Sequence, residues 1–183
     1  MIPTEGEALG LHQKYGSNQA IVGHCKTVAK AAGVICEELR KQGKRVDWEA
    51  VRAGALLHDI GRNRVQTVRH GLEGAEMLWD QGVDDRVVEM VRKHVGAGIS
   101  PEEAESLGMP DFDFLPRTLE ERIVCFADKM VDADRVRPFE VEVERFTRKG
   151  HDVERLRALK AGVEKDMGMD PEKLVLDKIK ESQ

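Results

Sequence analysis

The stretch ALLHDIGR, residues 55–62, places a histidine and an aspartate side by side at the end of an apolar, helix-like run. Burying such polar groups costs free energy unless each finds a partner. Gly61 follows the pair closely, and a glycine just past a helix end permits a left-handed turn. The stretch therefore predicts a helix that ends in the core, with two polar side chains that need partners from elsewhere in the chain.

Most of the 183-residue chain carries the apolar period of an amphipathic helix, which predicts an all-α helical bundle. Helices are expected over residues 17–40, 47–59, 70–81, 84–95, 152–167 and 172–180. Two more are expected after SPEE at Ser100 and TLEE at Thr118, since each places a capping hydroxyl three residues before a Glu. The alternating run FEVEVERF, residues 139–146, is the single strand-like exception.

Beyond Pro138 the pattern becomes more charged and less apolar. We therefore predict one domain over residues 1–137 and a C-terminal helical extension, residues 138–183, packed on it. The connection 108–117 is rich in Pro and Asp and is a candidate lid.

Composition narrows the function classes. A net charge of −5 argues against broad electrostatic binding to nucleic acid or to an anionic membrane, so the expected partner is a small molecule. The amino terminus shows no secretory pattern and no window reaches the length of a membrane span, so a cytoplasmic location is expected. A homodimer is left open.

The remaining cysteines and histidines receive structural interpretations. Cys25, Cys36 and Cys125 are widely spaced among apolar residues, so we interpret them as core thiols. His12 and His151 lie in polar surroundings and are predicted at the surface.

Several polar residues fall on the apolar faces of predicted helices. His24 lies on the stripe of the first long helix, His94 follows the stripe of the fourth, and Asp128 lies on the inner face of the helix that Thr118 caps. A single inward histidine is more often a satisfied core residue than a ligand. Two buried carboxylates beside several imidazoles are, however, hard to explain without cations. The full candidate set for a metal site comprises His24, His58, Asp59, His70, His94 and Asp128.

In this order, these residues resemble the HD superfamily of metal-dependent phosphohydrolases, and HDIGR resembles its HDIG subgroup. The resemblance covers roughly residues 17–137 and extends to GHCKTVAKAA, HGLEGAEML, VRKHVGAG and ADKMVDADR. The likeness is greatest to small stand-alone HDIG proteins of the archaeal type. Hydrolases that cleave diadenosine tetraphosphate symmetrically carry a longer insertion, where here only ten residues separate Asp59 from His70.

The resemblance implies an HD-domain bundle with two divalent metal ions. It assigns one ion to His24, His58, Asp59 and Asp128, and a second to His70 and His94, with Asp59 bridging. A mononuclear site is the alternative. Imidazole-rich ligation suits iron, manganese, nickel or cobalt better than magnesium, and zinc is compatible.

The implied reaction is hydrolysis of a phosphoester in a nucleotide or related small molecule. The substrate classes are a mononucleotide, a cyclic phosphate or a dinucleoside polyphosphate. Two cations about 3.5 to 4 Å apart would lower the pKa of a bridging water and present hydroxide to phosphorus.

Basic residues lie beside the ligands in the sequence. Arg62 and Arg135 are the preferred phosphate contacts, with Arg69 and Lys93 as further candidates. Asp132, expected one helical turn beyond Asp128, would orient a ligand or handle the leaving-group proton. The predicted catalytic residues are thus Asp59, Arg62 and Asp132.

Two other functions use the same ligands. One is a dinuclear-iron oxygenase of the inositol-oxygenase type. The other is a binding module whose metal or nucleotide serves no catalysis. Chain length and HDIGR favour hydrolysis over the oxygenase, and the complete ligand set argues against the binding module.

Overall fold

The computed structural model describes residues 1–181, so residues 182–183 of the predicted extension lie outside the described part. Its helices are α1 (Glu5–Lys14), α2 (Gln19–Lys41), α3 (Trp48–Leu57), α4 (His70–Trp79), α5 (Asp85–Lys93), α6 (Pro101–Ser106), α7 (Leu119–Lys129), α8 (Phe139–Arg148), α9 (Glu154–Met167) and α10 (Pro171–Glu181). A 3₁₀ turn, Ile60–Asn63, follows α3, and an antiparallel pair, β1 (Val131–Asp132) and β2 (Arg135–Val136), follows α7. The all-α prediction is confirmed.

The helix starts follow local capping chemistry. Ser100 and Thr118 each accept a hydrogen bond from the third helical residue, whose Glu side chain bonds back to the cap, so both predicted capping boxes are present. Helix α1 was not predicted, although TEGE at residues 4–7 forms a third capping box. A capping signal thus marked every one of these three starts.

The strand-like alternation of FEVEVERF does not produce a strand, because this stretch forms α8. Phe139 and Val143 are buried and Phe146 packs against them at the edge of the core. Their spacing of four and then three residues places them on one face of a helix. The Phe139 ring also stacks on Phe126 of α7, with 5.3 Å between ring centroids.

The core lies among α2, α3, α5 and α7, where α3 and α7 pack on each other and each also packs on α2 and α5. Helix α9 packs on α7, and α10 packs on α2. The division at residue 137 stays a prediction. Within residues 1–181, no helix is both long and apolar enough to cross a membrane.

The predictions for the three cysteines and for His12 and His151 have different outcomes. All three cysteines are buried and free, as expected of core thiols. His151 is exposed, but the prediction that His12 lies at the surface is wrong, since it is only 1% exposed. Its polar sequence neighbours point to solvent, whereas His12 lies on the face of α1 that packs against α3.

Candidate metal centre

Six polar side chains from five separate segments converge between the core helices. His24 comes from α2 and Asp128 from α7, whereas the other four lie at helix ends, where the chain turns back into the core. Four of the six residues are at most 5% exposed, namely His58, Asp59, His70 and His94. The structure therefore brings the entire predicted ligand set together.

Each of the four imidazoles is oriented by a backbone carbonyl. His58, His70 and His94 place Nδ1 within 2.7 to 2.8 Å of the carbonyl oxygen three residues earlier, and His24 Nδ1 lies 2.9 Å from the oxygen of Ala133. A carbonyl only accepts, so Nδ1 carries the hydrogen in every case. The Nε2 atom of each neutral ring is then left as a lone pair that faces the centre, as a metal ligand requires.

The inner end of the cluster is made by His70, His94 and Asp59. The two Nε2 atoms lie 3.0 Å apart, and they lie 3.1 and 3.4 Å from Asp59 Oδ1. Burial, together with the charges of His58 and His70, lowers the pKa of His94 to about 4, so its ring is neutral near pH 7. Within residues 1–181, Asp59 Oδ1 receives no hydrogen bond. Lone pairs and a carboxylate this close need a cation between them.

The outer end is made by His24 and Asp128, with His58 behind them. His24 Nε2 lies 2.9 Å from Asp128 Oδ1, and His58 Nε2 lies 3.4 Å from the same oxygen. Lys129 forms an ion pair with the other oxygen, Oδ2. Burial would lower the pKa of His24, but the hydrogen bond and charge of Asp128 outweigh it and raise that pKa. A proton on His24 can therefore satisfy this end.

Asp59 connects the two ends. Its Oδ1 faces His70 and His94, while Oδ2 lies 3.9 Å from His24 and 3.7 Å from His58. Burial would raise the pKa of this carboxyl, but the surrounding imidazoles, led by His58, hold it far below its ordinary range. Asp59 is thus a buried anion with one oxygen toward each end.

The donor atoms fit divalent metal ions. Three sets of three side chains have their ligand atoms within 4.8 Å of one another. They are His24 with His58 and Asp59, His58 with His94 and Asp128, and Asp59 with His70 and His94. Among the described residues, His58 Nε2 and Asp59 Oδ1 are buried without a hydrogen-bond partner, and imidazole nitrogens and carboxylate oxygens are donors that such ions prefer.

Gly61 allows the segment that carries Asp59 to approach the backbone of His70 closely. A Cβ atom at this position would lie 2.0 Å from the carbonyl oxygen of His70 and 2.5 Å from the nitrogen of Gly74. Only a residue without Cβ allows the 3₁₀ turn to approach the first turn of α4 this closely. The glycine therefore serves close packing, and not the left-handed turn that the sequence suggested, because its φ is not positive.

The predicted substrate contacts have different surroundings. Arg62 Nε lies 2.7 Å from Asp59 Oδ2, with its side chain one third exposed. Arg135 is exposed on β2. Arg69 donates to the carbonyl of Gly108, and Lys93 is paired with Glu89 and Glu121 and only 11% exposed. Arg62 therefore contacts the cluster, whereas Arg69 and Lys93 are engaged in structural contacts.

The prediction that Asp132 continues the helix face of Asp128 is wrong. Helix α7 ends at Lys129, and Asp132 lies in β1, exposed and paired with Arg145 at 2.6 Å. The hairpin that follows has a different role, since Ala133 adopts a positive φ of 54° and its carbonyl orients His24. The proton-transfer role of Asp132 stays a prediction.

Sequence reasoning missed Lys129. It is 8% exposed and its pKa is raised, because the Asp128 charge outweighs the effect of burial. The signal was a lysine inside the apolar run VCFADKMV, directly after a ligand candidate. A buried ammonium at that place needs a carboxylate beside it.

The candidate lid, residues 108–117, is anchored at two points. Phe114 is 1% exposed and packs with Leu72, Ile99 and Met109, and Arg69 holds Gly108. Phe112 remains half exposed, with the Arg92 guanidinium 4.8 Å from its ring centroid. Movement of this connection as a lid stays a prediction.

Comparison with known proteins gives the family. The model of the HD domain matches residues 21–131, a segment that contains all six clustered side chains. No solved structure matches the chain.

Several curated proteins are similar to this chain. It is 41% identical over 150 residues to a tRNA (cytidine(56)-2'-O)-methyltransferase of Thermoplasma volcanium, covering 82% of this chain but 43% of that protein. It is 44% identical over 114 residues to an uncharacterized protein of Methanocaldococcus jannaschii, covering 62% and 68%. It is 28% identical over 172 residues to ribonuclease Y of Pseudothermotoga lettingae, covering 91% and 30%.

The chain spans less than half the length of the methyltransferase relatives, 43% in one and 38% in another. It covers two thirds of the Methanocaldococcus protein. With the family match over most of the bundle and all six polar residues inside it, the chain belongs to the HD domain family.

Proposed function

We propose that this protein is a metal-dependent phosphohydrolase that hydrolyses a phosphoester bond in a nucleotide or a related small phosphoester. The observation that carries the proposal is the inner end of the cluster. There two Nε2 atoms lie 3.0 Å apart beside Asp59 Oδ1, which receives no hydrogen bond from the part of the chain that the structure describes. A divalent cation is the partner that this arrangement lacks.

The six side chains divide between two ions. His24, His58, Asp59 and Asp128 would hold one, and Asp59, His70 and His94 would hold the other. The four imidazoles favour iron, manganese, nickel or cobalt over magnesium, and zinc is compatible. When bound, a pair of such ions polarises a phosphoryl oxygen and makes a coordinated water more acidic at neutral pH.

The chain's own residues would position the substrate. Arg62 holds Asp59 through Nε and its side chain is one third exposed, so its terminal nitrogens can donate to a phosphate from the exposed side. Arg135 lies opposite Asp132 in the hairpin whose turn orients His24, so it also borders the outer end. Arg69 and Lys93 would act indirectly, since one holds the connection 108–117 and the other holds Glu121.

The relatives support this choice unequally. Ribonuclease Y aligns with 91% of this chain, and its name denotes cleavage of phosphodiester bonds in RNA. We therefore include a short RNA beside small nucleotides among the substrates to be tested. The methyltransferase in the comparison is named for methyl transfer to tRNA, but this chain covers 43% of it and supplies cation ligands, so methyl transfer is outside the proposal.

The decisive experiment measures turnover together with metal content. Protein loaded with Mn²⁺, Co²⁺, Ni²⁺, Zn²⁺ or anaerobic Fe²⁺ is incubated with mononucleotides, 2',3'-cyclic nucleotides, dinucleoside polyphosphates and a short RNA. We expect release of phosphate or nucleotide with at least one metal, and none after chelation. Full metal occupancy without turnover of any substrate would overturn the proposal, and O₂ consumption would favour the oxygenase alternative.

Asp132 is tested with Asp132→Asn, and Asp177→Asn on the exposed face of α10 serves as the matched control. A general acid contributes roughly 10²- to 10⁴-fold to the rate. Because Asp132 is half exposed and paired with Arg145, we expect a loss below about 10-fold. A loss above about 100-fold at full metal occupancy would instead place Asp132 in proton transfer.

A further inference from the structure

A second buried polar network lies outside the metal cluster. His12 of α1 is 1% exposed, and its Nε2 lies 2.7 Å from the carbonyl oxygen of Leu56. Its Nδ1 lies 2.6 Å from Ser17 Oγ, which in turn lies 2.6 Å from Asn63 Nδ2. The same Asn63 nitrogen lies 2.9 Å from the carbonyl oxygen of Ile60. His12 and Ser17 both precede the segment that the family model matches.

With the His12 ring neutral, one arrangement of hydrogens satisfies these contacts. The Leu56 carbonyl only accepts, so His12 Nε2 donates and Nδ1 of the neutral ring accepts from the Ser17 hydroxyl. Ser17 Oγ then accepts from the Asn63 amide, whose second hydrogen goes to the Ile60 carbonyl. Every member of the network is satisfied while uncharged, which makes it inexpensive to bury.

The two ends of the network enclose the metal-binding pair. Leu56 lies two residues before His58, and Ile60 directly follows Asp59. Because α3 ends at Leu57, the Leu56 carbonyl belongs to the last turn, where helix carbonyls lack their usual intrahelical partner. His12 supplies that partner, and the Asn63 side chain adds a hydrogen bond to the Ile60 carbonyl at the start of the 3₁₀ turn.

We propose that His12 is a positioning residue that fixes the His58–Asp59 segment for metal binding through Ser17 and Asn63. It touches neither substrate nor metal, and the inference rests on the proposed function only in that the cluster binds a divalent ion. Outer partners that orient ligands typically contribute 10- to 100-fold in metal affinity.

The test compares His12→Leu with Leu11→Ala. The first variant removes the network and keeps an apolar side chain, whereas the second weakens the packing of α1, because Leu11 is a partly buried neighbour on the same helix. We expect the Kd for Mn²⁺ to rise about 10- to 100-fold in His12→Leu and to stay within about twofold in Leu11→Ala. His12→Gln, which can donate to Leu56, should recover most of the affinity.

A second measurement needs no metal. Amide hydrogen exchange over residues 58–63 should accelerate in metal-free His12→Leu and stay unchanged in Leu11→Ala. If His12→Leu does not fold, Ser17→Ala interrupts the same network with a small change in volume and should weaken Mn²⁺ binding about three- to tenfold.

The outcomes separate this inference from the proposed function. Unchanged Mn²⁺ affinity in His12→Leu and Ser17→Ala, or an equal loss in Leu11→Ala, would overturn the positioning role. Wild-type protein that binds Mn²⁺ but hydrolyses nothing would overturn the proposed function alone, and wild-type protein that binds no Mn²⁺ would overturn both.

Discussion

The two ends of the metal centre differ in how they can exist without an ion. At the outer end, a proton on His24 and the ammonium of Lys129 both face Asp128, so charge and hydrogen bonding are balanced by protein groups. At the inner end, the Nε2 atoms of His70 and His94 lie 3.0 Å apart, with Asp59 as the nearest anion. The outer end is also the more exposed one.

The two ends of the ligand set therefore differ in how much they depend on a metal ion for charge balance. The outer half is a satisfied ion-pair network that a metal would have to displace in part. The inner half is a preorganised set of donors whose unfavourable contacts a metal would relieve. We therefore expect the ends to respond differently to substitution and to pH.

The largest effect is expected for Asp59→Asn, because this carboxylate contacts both ends. We expect loss of both ions and a fall in hydrolysis of at least about 10³-fold, since metal catalysis supplies several kcal/mol of transition-state stabilisation. Elemental analysis measures the loss of metal, and steady-state kinetics measure the fall in hydrolysis. Asp128→Asn is the matched variant and should retain the inner ion. One ion still bound to Asp59→Asn would contradict the bridging role.

Lys129→Met should destabilise the metal-free protein by about 3 kcal/mol, because it leaves the buried Asp128 without its ammonium partner. This value is small for a broken buried ion pair, because His24 also pairs with Asp128 and remains in the variant. Saturating Mn²⁺ should shrink the loss. Denaturant unfolding with and without metal measures it, with the exposed Lys30→Met as control. Equal losses in both states would show that Lys129 is independent of the metal centre.

Gly61→Ala should disturb the inner end selectively. The added methyl group would meet the backbone of His70 and Gly74, so we expect a loss of about 1 to 3 kcal/mol in stability. Gly6→Ala in α1 has open space around the new Cβ and should be neutral or slightly stabilising. Metal titration should show weakened binding of one ion in Gly61→Ala. Equal weakening of both ions would contradict the separation of the two ends.

The smallest of the expected effects is a difference in pH dependence: metal binding should release protons at the outer end but not from His94 at the inner end. The pKa of His24 is raised by Asp128, so its proton must leave when an ion binds, whereas His94, with a pKa of about 4, has none to release near neutral pH. Affinity at the outer end should therefore fall up to about tenfold per pH unit as pH decreases below the His24 pKa. Calorimetry in buffers of different ionisation enthalpy should find protons released on filling the outer site, from His24 and also from His58, whose pKa is raised because the charges of Cys25, Asp59 and Asp128 outweigh burial. No proton release would contradict the assignment.

Much of the candidate site follows from periodicity. His24 and Asp128 lie on apolar helical stripes, and a polar residue on such a stripe must face the core whatever the helix packs against. His58 and Asp59 end an apolar run before a glycine, which places them at an inner turn. Periodicity did not show that these residues belong to one site. The resemblance of the ordered set to the HD superfamily assigned them to a common metal site.

Local pattern failed where tertiary contacts decided the outcome. FEVEVERF alternates like a strand, yet Phe139 and Val143 pack on the core as helix neighbours. Asp132 was placed by extending α7, but that helix ends at Lys129 and the chain turns into a hairpin. Lys93 was predicted to contact phosphate because it lies beside the ligand candidate His94 in the sequence. Its ammonium is instead paired with Glu89 and Glu121 from two different helices.

The amino-acid sequence thus determined that polar residues on apolar helical stripes, such as His24 and Asp128, face inward, because helical period and capping are local properties of the chain. Tertiary structure alone decided that His70 and His94 meet at 3.0 Å, that Lys129 balances Asp128, and that His12 holds the turn before His58. The reason is that these contacts join segments far apart in the chain, and their distances depend on how closely the helices pack, as at Gly61, where a single Cβ would separate the two elements.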